Sequence, residues 1–248
     1  MNPDILNSLQ RRFGSADFSR YQIVRGQKYD FVRLPTLGTP SVSFFSNPVG
    51  ASDGTSGISK TYEQTNLVKN ASFGQEYFAL TQIRCYANFV PQVRSGITSP
   101  GTNFVFRGYT ALANSAMEKL NDLLHTGVLE ISFAQKLYYQ INKPFIMCPP
   151  GIGIDVSSLG SSRTGVAAET QVSDTNWRAQ PDWRAESVYN IDPIQIIEPE
   201  IQIGAVINFP DANTPNFTDT ALTTADATAA PVVELGLIFD GYVIRPSQ

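Results

Sequence analysis

The side chains that could do chemistry are few and far apart. The chain has one histidine, His125, and two cysteines, Cys85 and Cys148, in 248 residues. Nucleophilic catalysis needs a serine or cysteine beside a base, so His125 would have to serve any such arrangement. It stands at the end of a helical pattern, where the helix dipole favours it for structural reasons. His125 with Cys148 is a formal pairing, but neither residue is flanked by a nucleophile motif. The two cysteines lack neighbouring ligands at zinc spacing. A disulfide between them stays open but unsupported, because two cysteines make no framework, and both lie in apolar, strand-like runs where cysteine acts as a small hydrophobe. Gly151-Ile152-Gly153-Ile154-Asp155 has the glycines of a phosphate loop but the wrong spacing and no Lys-Ser/Thr pair, so it reads as a turn. Glu198 and Glu200 would share a strand face and could suit glycoside chemistry. Pro199 between them points instead to an edge or turn with exposed charge. Asn70-Ala71-Ser72 and Asn216-Phe217-Thr218 match the glycosylation pattern. These residues predict no enzyme, no catalytic residue, no metal and no cofactor.

Contact chemistry is better represented. Trp177-Arg178-Ala179 recurs as Trp183-Arg184-Ala185. Tryptophan and arginine anchor protein interfaces and could also form a stacking platform for a sugar; the interface reading is preferred. The N-terminus predicts a short helix. Asn2 caps it, Pro3 suits its first position, and Asp4 sits at the positive end of the dipole. Ile5, Leu6, Leu9 and Phe13 fall on one face, Arg11 and Arg12 occupy the last turn, and Gly14 ends it. A helix this short must dock on something, so Ile5, Leu9 and Phe13 join the tryptophans and their arginines as interface candidates.

Charge is uneven along the chain. The net charge of −4 gives no global basic field for nucleic acid. Near the N-terminus, however, Arg11, Arg12, Arg20, Arg25, Lys28 and Arg33 outnumber Asp4, Asp17 and Asp30. Toward the C-terminus, Glu200, Asp211, Asp219, Asp226, Glu234 and Asp240 face only Arg245. A basic arm opposite something acidic is the sharper reading of this asymmetry.

The elements that must carry these residues are mostly strands. Hydrophobic residues make up 42% and charged ones only 16%, a β-and-loop rather than a long-helix composition. No apolar run approaches membrane-spanning length, and the polar Asn2-Pro3-Asp4 predicts no signal-peptide core. Strand patterns occur at 29–34, 41–46, 77–90, 194–197, 201–209 and 233–244. Thr110 to His125 predicts a helix with Leu112, Ala116, Leu120 and Leu124 on one stripe. After Gly127 the period becomes two: Leu129, Ile131 and Phe133 face one way. Leu137, Tyr139 and Ile141 continue the alternation beyond a tight hairpin near Ala134 and Gln135. Phe145 to Cys148 is a further apolar run. Two stretches, about 151–187 and 211–230, read as long surface loops. Eight or nine strands with long loops fit an all-β antiparallel sandwich, most economically a single jelly roll. The expected organisation is an N-terminal arm over 1–30 and a jelly-roll domain over 31–248.

The order of these elements resembles the jelly-roll coat proteins of tailless icosahedral viruses, especially bacterial ones. The resemblance rests on the arm, on Ser41-Val42-Ser43-Phe44-Phe45 before a Gly/Ser loop, and on the strand Tyr77-Phe78-Ala79-Leu80-Thr81-Gln82-Ile83 leading to the helix. It continues through Gly127-Val128-Leu129-Glu130-Ile131-Ser132-Phe133 to Phe145-Ile146-Met147-Cys148-Pro149-Pro150. It implies a structural protein of the virion that self-assembles into a shell. The implied partners are copies of itself in trimers or higher capsomers, other capsid proteins, and a genome or internal membrane met by the arm. Arg11, Arg12, Arg20 and Arg25 would then face the interior. The strands are too few for a double jelly roll. The alternative is a carbohydrate- or receptor-binding sandwich on a phage or cell surface.

Overall fold

The computed structural model describes residues 7, 11, 21–34, 38–52, 59–89, 122–148, 153–155, 178–180, 188–209 and 233–246. Its strands are β1 (Tyr21–Arg33), β2 (Ser41–Phe44), β3 (Tyr77–Phe89), β4 (Val128–Phe133), β5 (Lys136–Asn142), β6 (Gly153–Asp155), β7 (Arg178–Gln180), β8 (Tyr189–Ile197), β9 (Ile203–Asn208) and β10 (Val233–Pro246). Two four-stranded antiparallel sheets have the orders β1-β10-β3-β8 and β2-β9-β4-β5. The pairing is nested. β1 pairs with β10, β2 with β9, β3 with β8, and β4 with its immediate successor β5. Contacts of β10 with β3 and of β4 with β9 then join these pairs into sheets.

Alternation decides which residues fill the space between the sheets. Leu129, Ile131 and Phe133 of β4 are buried, and so are Ile203, Ala205 and Ile207 of β9 and Leu235, Leu237 and Phe239 of β10. Side chains of period two necessarily share a face. Phe45 lies 4.9 Å from Phe239 and 5.5 Å from Phe73, whose ring is 5.4 Å from Phe78, so aromatic rings fill one part of the core.

β3 keeps its core face only by means of a bulge. Phe78 and Leu80 point inward, and beyond Thr81 the inward set becomes Ile83, Cys85 and Ala87. The extra residue re-aims the strand, and the Thr81 hydroxyl donates to the carbonyl oxygen of Asp240 at 3.0 Å. Gly241 faces this bulge. A Cβ there would stand 2.0 Å from the Ala79 carbonyl oxygen, a contact only glycine avoids.

The tight hairpin expected at Ala134 and Gln135 is present, with φ of 50° and 66° at the two residues. Other expectations need correction. β1 begins at Tyr21, not Tyr29, so residues 21–30 belong to the sheet and not to an arm. The reason is non-local: β10 is long enough to pair with β1 from Tyr21 to Arg33. The run from Phe145 to Cys148 is not strand-like, because Pro144–Met147 forms one helical turn with proline at its start. Gly153–Asp155, read as a turn within a loop, pairs antiparallel with Arg178–Gln180. Of the mid-chain helix, residues 122–124 are described and helical, with Leu123 fully buried; its earlier part lies outside the described residues.

Candidate interaction surfaces

β1 is an edge strand of its sheet, and a segment around residues 59–67 closes much of that edge. Phe31 N–H donates to the Gln64 carbonyl at 2.7 Å, and Tyr29 N–H donates to Asn66 Oδ1 at 3.1 Å. Asn66 Nδ2 in turn donates to the Gln27 carbonyl at 2.7 Å. Backbone groups that would otherwise offer a template for another strand are thereby used.

A buried ion pair pins this segment. Lys60 Nζ lies 2.6 Å from Asp30 Oδ1, with side-chain exposures of 1% and 0%. The other carboxylate oxygen, Oδ2, accepts the Phe45 N–H at 2.7 Å. Asp30 therefore ties the first sheet, the corner after β2 and the covering segment together. Phe45 sits at φ 60°, unusual for a bulky residue, and this hydrogen bond helps to hold it there. Burial pushes the Asp30 carboxyl above its ordinary range, against the opposing pull of Lys60 and the hydrogen bonds it accepts.

The outer face of the same sheet is divided. At its centre Arg84 grips Asp240 through two bonds of 2.5 and 2.9 Å, and Gln27 adds a third at 2.6 Å. This bidentate geometry is the strong form of the pair. Toward one end lies an apolar group of Ala79, Ile196 and Ile244, with Tyr21, Ile23, Tyr77, Ile194 and Tyr242 packed around it. An outward face of an antiparallel sheet ordinarily carries polar residues; here Ala79, Ile196 and Ile244 are buried, so this end forms a small second core.

The second sheet ends in β5, and its exposure pattern is the opposite of a closed edge. Lys136, Leu137, Tyr138, Gln140 and Asn142 are all exposed. Leu137 and Tyr138 are 52% and 43% exposed, and Ile146 and Met147 in the following helical turn are 45% and 54% exposed. Among the described residues β5 pairs only with β4. Four large apolar side chains on and just after β5 are thus exposed, and among the described residues β5 is an edge strand.

No family model, no curated protein and no solved structure matches this chain.

Of the residues singled out in the sequence, Arg11 is helical and exposed, and Arg25 is exposed on β1 opposite Tyr242. Arg25 is thus a sheet residue, not an arm residue, for the reason that lengthens β1. Arg178 lies in β7 opposite Asp155. Ile5, Leu9, Phe13, Arg12, Arg20, Trp177, Trp183 and Arg184 lie outside the described residues. His125 is exposed, and its N–H donates to the Asp122 carbonyl at 3.1 Å. Glu200 sits at φ 59° in a turn after β8, 2.7 Å from Lys69, and this hydrogen bond lowers its carboxyl below the usual range. Cys85 and Cys148, far apart in sequence, come together in the core.

Sequence reasoning missed Asp30, Lys60, Arg84 and Asp240. One signal was present: Asp30 occupies the same strand face as Val32, whose side chain is in the core, so an inward charge demanded a partner.

Proposed function

We propose that the chain is a structural capsid protein, a single jelly roll that self-assembles into an icosahedral shell of a virion. The jelly-roll part of this proposal rests on the nested pairing, first strand with last and so on inward to the β4–β5 hairpin. A long antiparallel ribbon rolled in this way yields two four-stranded sheets of the orders seen, and it is an architecture used by viral coats as well as by lectin-like and cupin domains. Fold alone does not choose among these. The coat reading is favoured by the exposed apolar side chains of Leu137, Tyr138, Ile146 and Met147 on and just after the edge strand β5, which suit contacts between copies. Copies of the chain in trimers or higher capsomers are its partners, with other coat proteins beside them. The basic N-terminal residues would face a genome or an internal membrane.

The test is electron microscopy and light scattering of the purified chain across a range of concentration. Closed shells or defined capsomers are expected. A chain that stays monomeric at high concentration and binds glycans would replace this reading with that of a carbohydrate-binding sandwich.

A further inference from the structure

Cys85 and Cys148 lie in different parts of the fold but meet in the core. Cys85 points inward from β3 of the first sheet, while Cys148 ends the helical turn that follows β5 of the second. Both are free, and both have 0% exposure. Cys85 N–H donates to the Cys148 carbonyl at 2.6 Å, and both side chains belong to the same core cluster. Standard bond lengths around that backbone contact limit the Cα–Cα separation to roughly 6.5 Å, inside the range of roughly 4.4–6.8 Å that disulfides span. The backbone of Cys148 is also fixed from its own side, since its N–H donates to the Pro144 carbonyl at 2.8 Å.

We infer that Cys85 and Cys148 form a site for an oxidative cross-link, an intramolecular disulfide that staples the first sheet to the end of the second. The oxidant class is a low-molecular-weight disulfide such as oxidised glutathione. One cysteine thiolate attacks it, forming a mixed disulfide and releasing one glutathione thiolate. The second cysteine thiolate attacks the mixed disulfide at the protein sulfur and releases the other. The two protons lost by the cysteines pass to the two leaving thiolates. The protein loses two electrons, and one glutathione disulfide becomes two glutathiones.

Burial holds the Cys85 thiol well above its ordinary range, so attack from the native state is slow. The cross-link therefore forms while the chain folds or opens locally, and its state records the redox compartment in which the chain folded. The bond closes a loop of about 60 residues, long enough for a substantial entropic gain. This inference stands apart from the assembly reading.

The full reduced chain is unfolded in denaturant and refolded in glutathione buffers poised either oxidising or reducing. From the oxidising buffer, the expected product is a chain about 2 Da lighter with no disulfide to another copy, and a proteolytic map joining the Cys85 and Cys148 peptides. Its Tm should exceed that of the reduced chain by roughly 10 °C. Native reduced chain should resist alkylation until unfolded. The comparison needs no variant; Cys85→Ala and Cys148→Ala, where they fold, should each abolish the Tm difference. A natively folded oxidised sample that carries only free thiols, glutathione caps or intermolecular bonds would overturn the inference. So would a cross-linked chain whose Tm is lower.

Discussion

The edge of β1 and the edge of β5 receive opposite treatment. Along β1 a separate segment supplies backbone and side-chain partners from Gln27 to Phe31, and the Lys60–Asp30 pair anchors it. Along β5 the exposed side chains include Leu137 and Tyr138, with Ile146 and Met147 close by in the chain. Free strand edges are hazards that folded proteins usually blunt with charge, proline or a cover. This chain spends a desolvated ion pair to blunt one edge and leaves an apolar rim along the other. In the proposed assembly, the uncovered edge is the one left for a neighbouring copy.

Breaking the closed edge should have the largest effect. Asp30→Ala leaves the Lys60 ammonium buried without its partner and frees the Phe45 N–H. Unfolding experiments should show a loss of about 3–5 kcal/mol. The paired substitution Asp30→Leu with Lys60→Met removes both charges and should cost clearly less. If the double variant is as unstable as the single one, the ion pair is not what anchors the cover.

A gentler break is Asn66→Ala, which removes the bonds to Tyr29 N–H and the Gln27 carbonyl. About 1–2 kcal/mol should be lost. The exposed β1 edge should also raise concentration-dependent association, read by analytical ultracentrifugation.

Acidity sharpens the same comparison. The folded-state value of Asp30 is raised, so the folded chain keeps a proton that the unfolded chain has released. Stability from this group is complete below the ordinary aspartate range, about pH 4, and falls as pH climbs through the raised value. Glu234 contributes in the same direction, because burial outweighs the pull of Arg33. Denaturation of the wild type and Asp30→Asn across this range should show the wild-type advantage shrinking with rising pH. A constant difference would contradict it.

The smallest effect on stability is expected at the open edge. Leu137→Lys changes an exposed side chain and should alter stability by no more than about 0.5 kcal/mol. Association should nevertheless weaken, because the added charge blunts the free edge. Unchanged assembly in this variant would remove β5 as a contact surface.

Much of the β framework was legible from side-chain period. The inward set of β4, β9 and β10 follows from alternation, since burying one face forces every second residue apolar. The hairpin at Ala134 and Gln135 was legible because Gln135 interrupts the apolar every-second-residue pattern between Phe133 and Leu137, although Leu137 itself is exposed. The first half of β1 was not. Its outward Tyr21 and Ile23 join an apolar group on the solvent side of the sheet, and exposed Val24 interrupts any simple alternation. The contact rims were missed for a related reason: Leu137 and Tyr138 look like ordinary strand residues until β5 is known to be an edge.

The sequence by itself determined the β character of the chain, the inward faces of several strands and the scarcity of catalytic side chains. These follow from residue type and local spacing. Tertiary structure decided which strand pairs with which, because backbone hydrogen-bonding groups are the same in every strand and carry no address. It alone brought Lys60 to Asp30, Arg84 to Asp240 and Cys85 to Cys148, each a contact between residues distant in the chain. The chemistry absent from the spacing of the reactive residues therefore reappears in space, as a buried ion pair, a bidentate clamp and a pair of facing thiols.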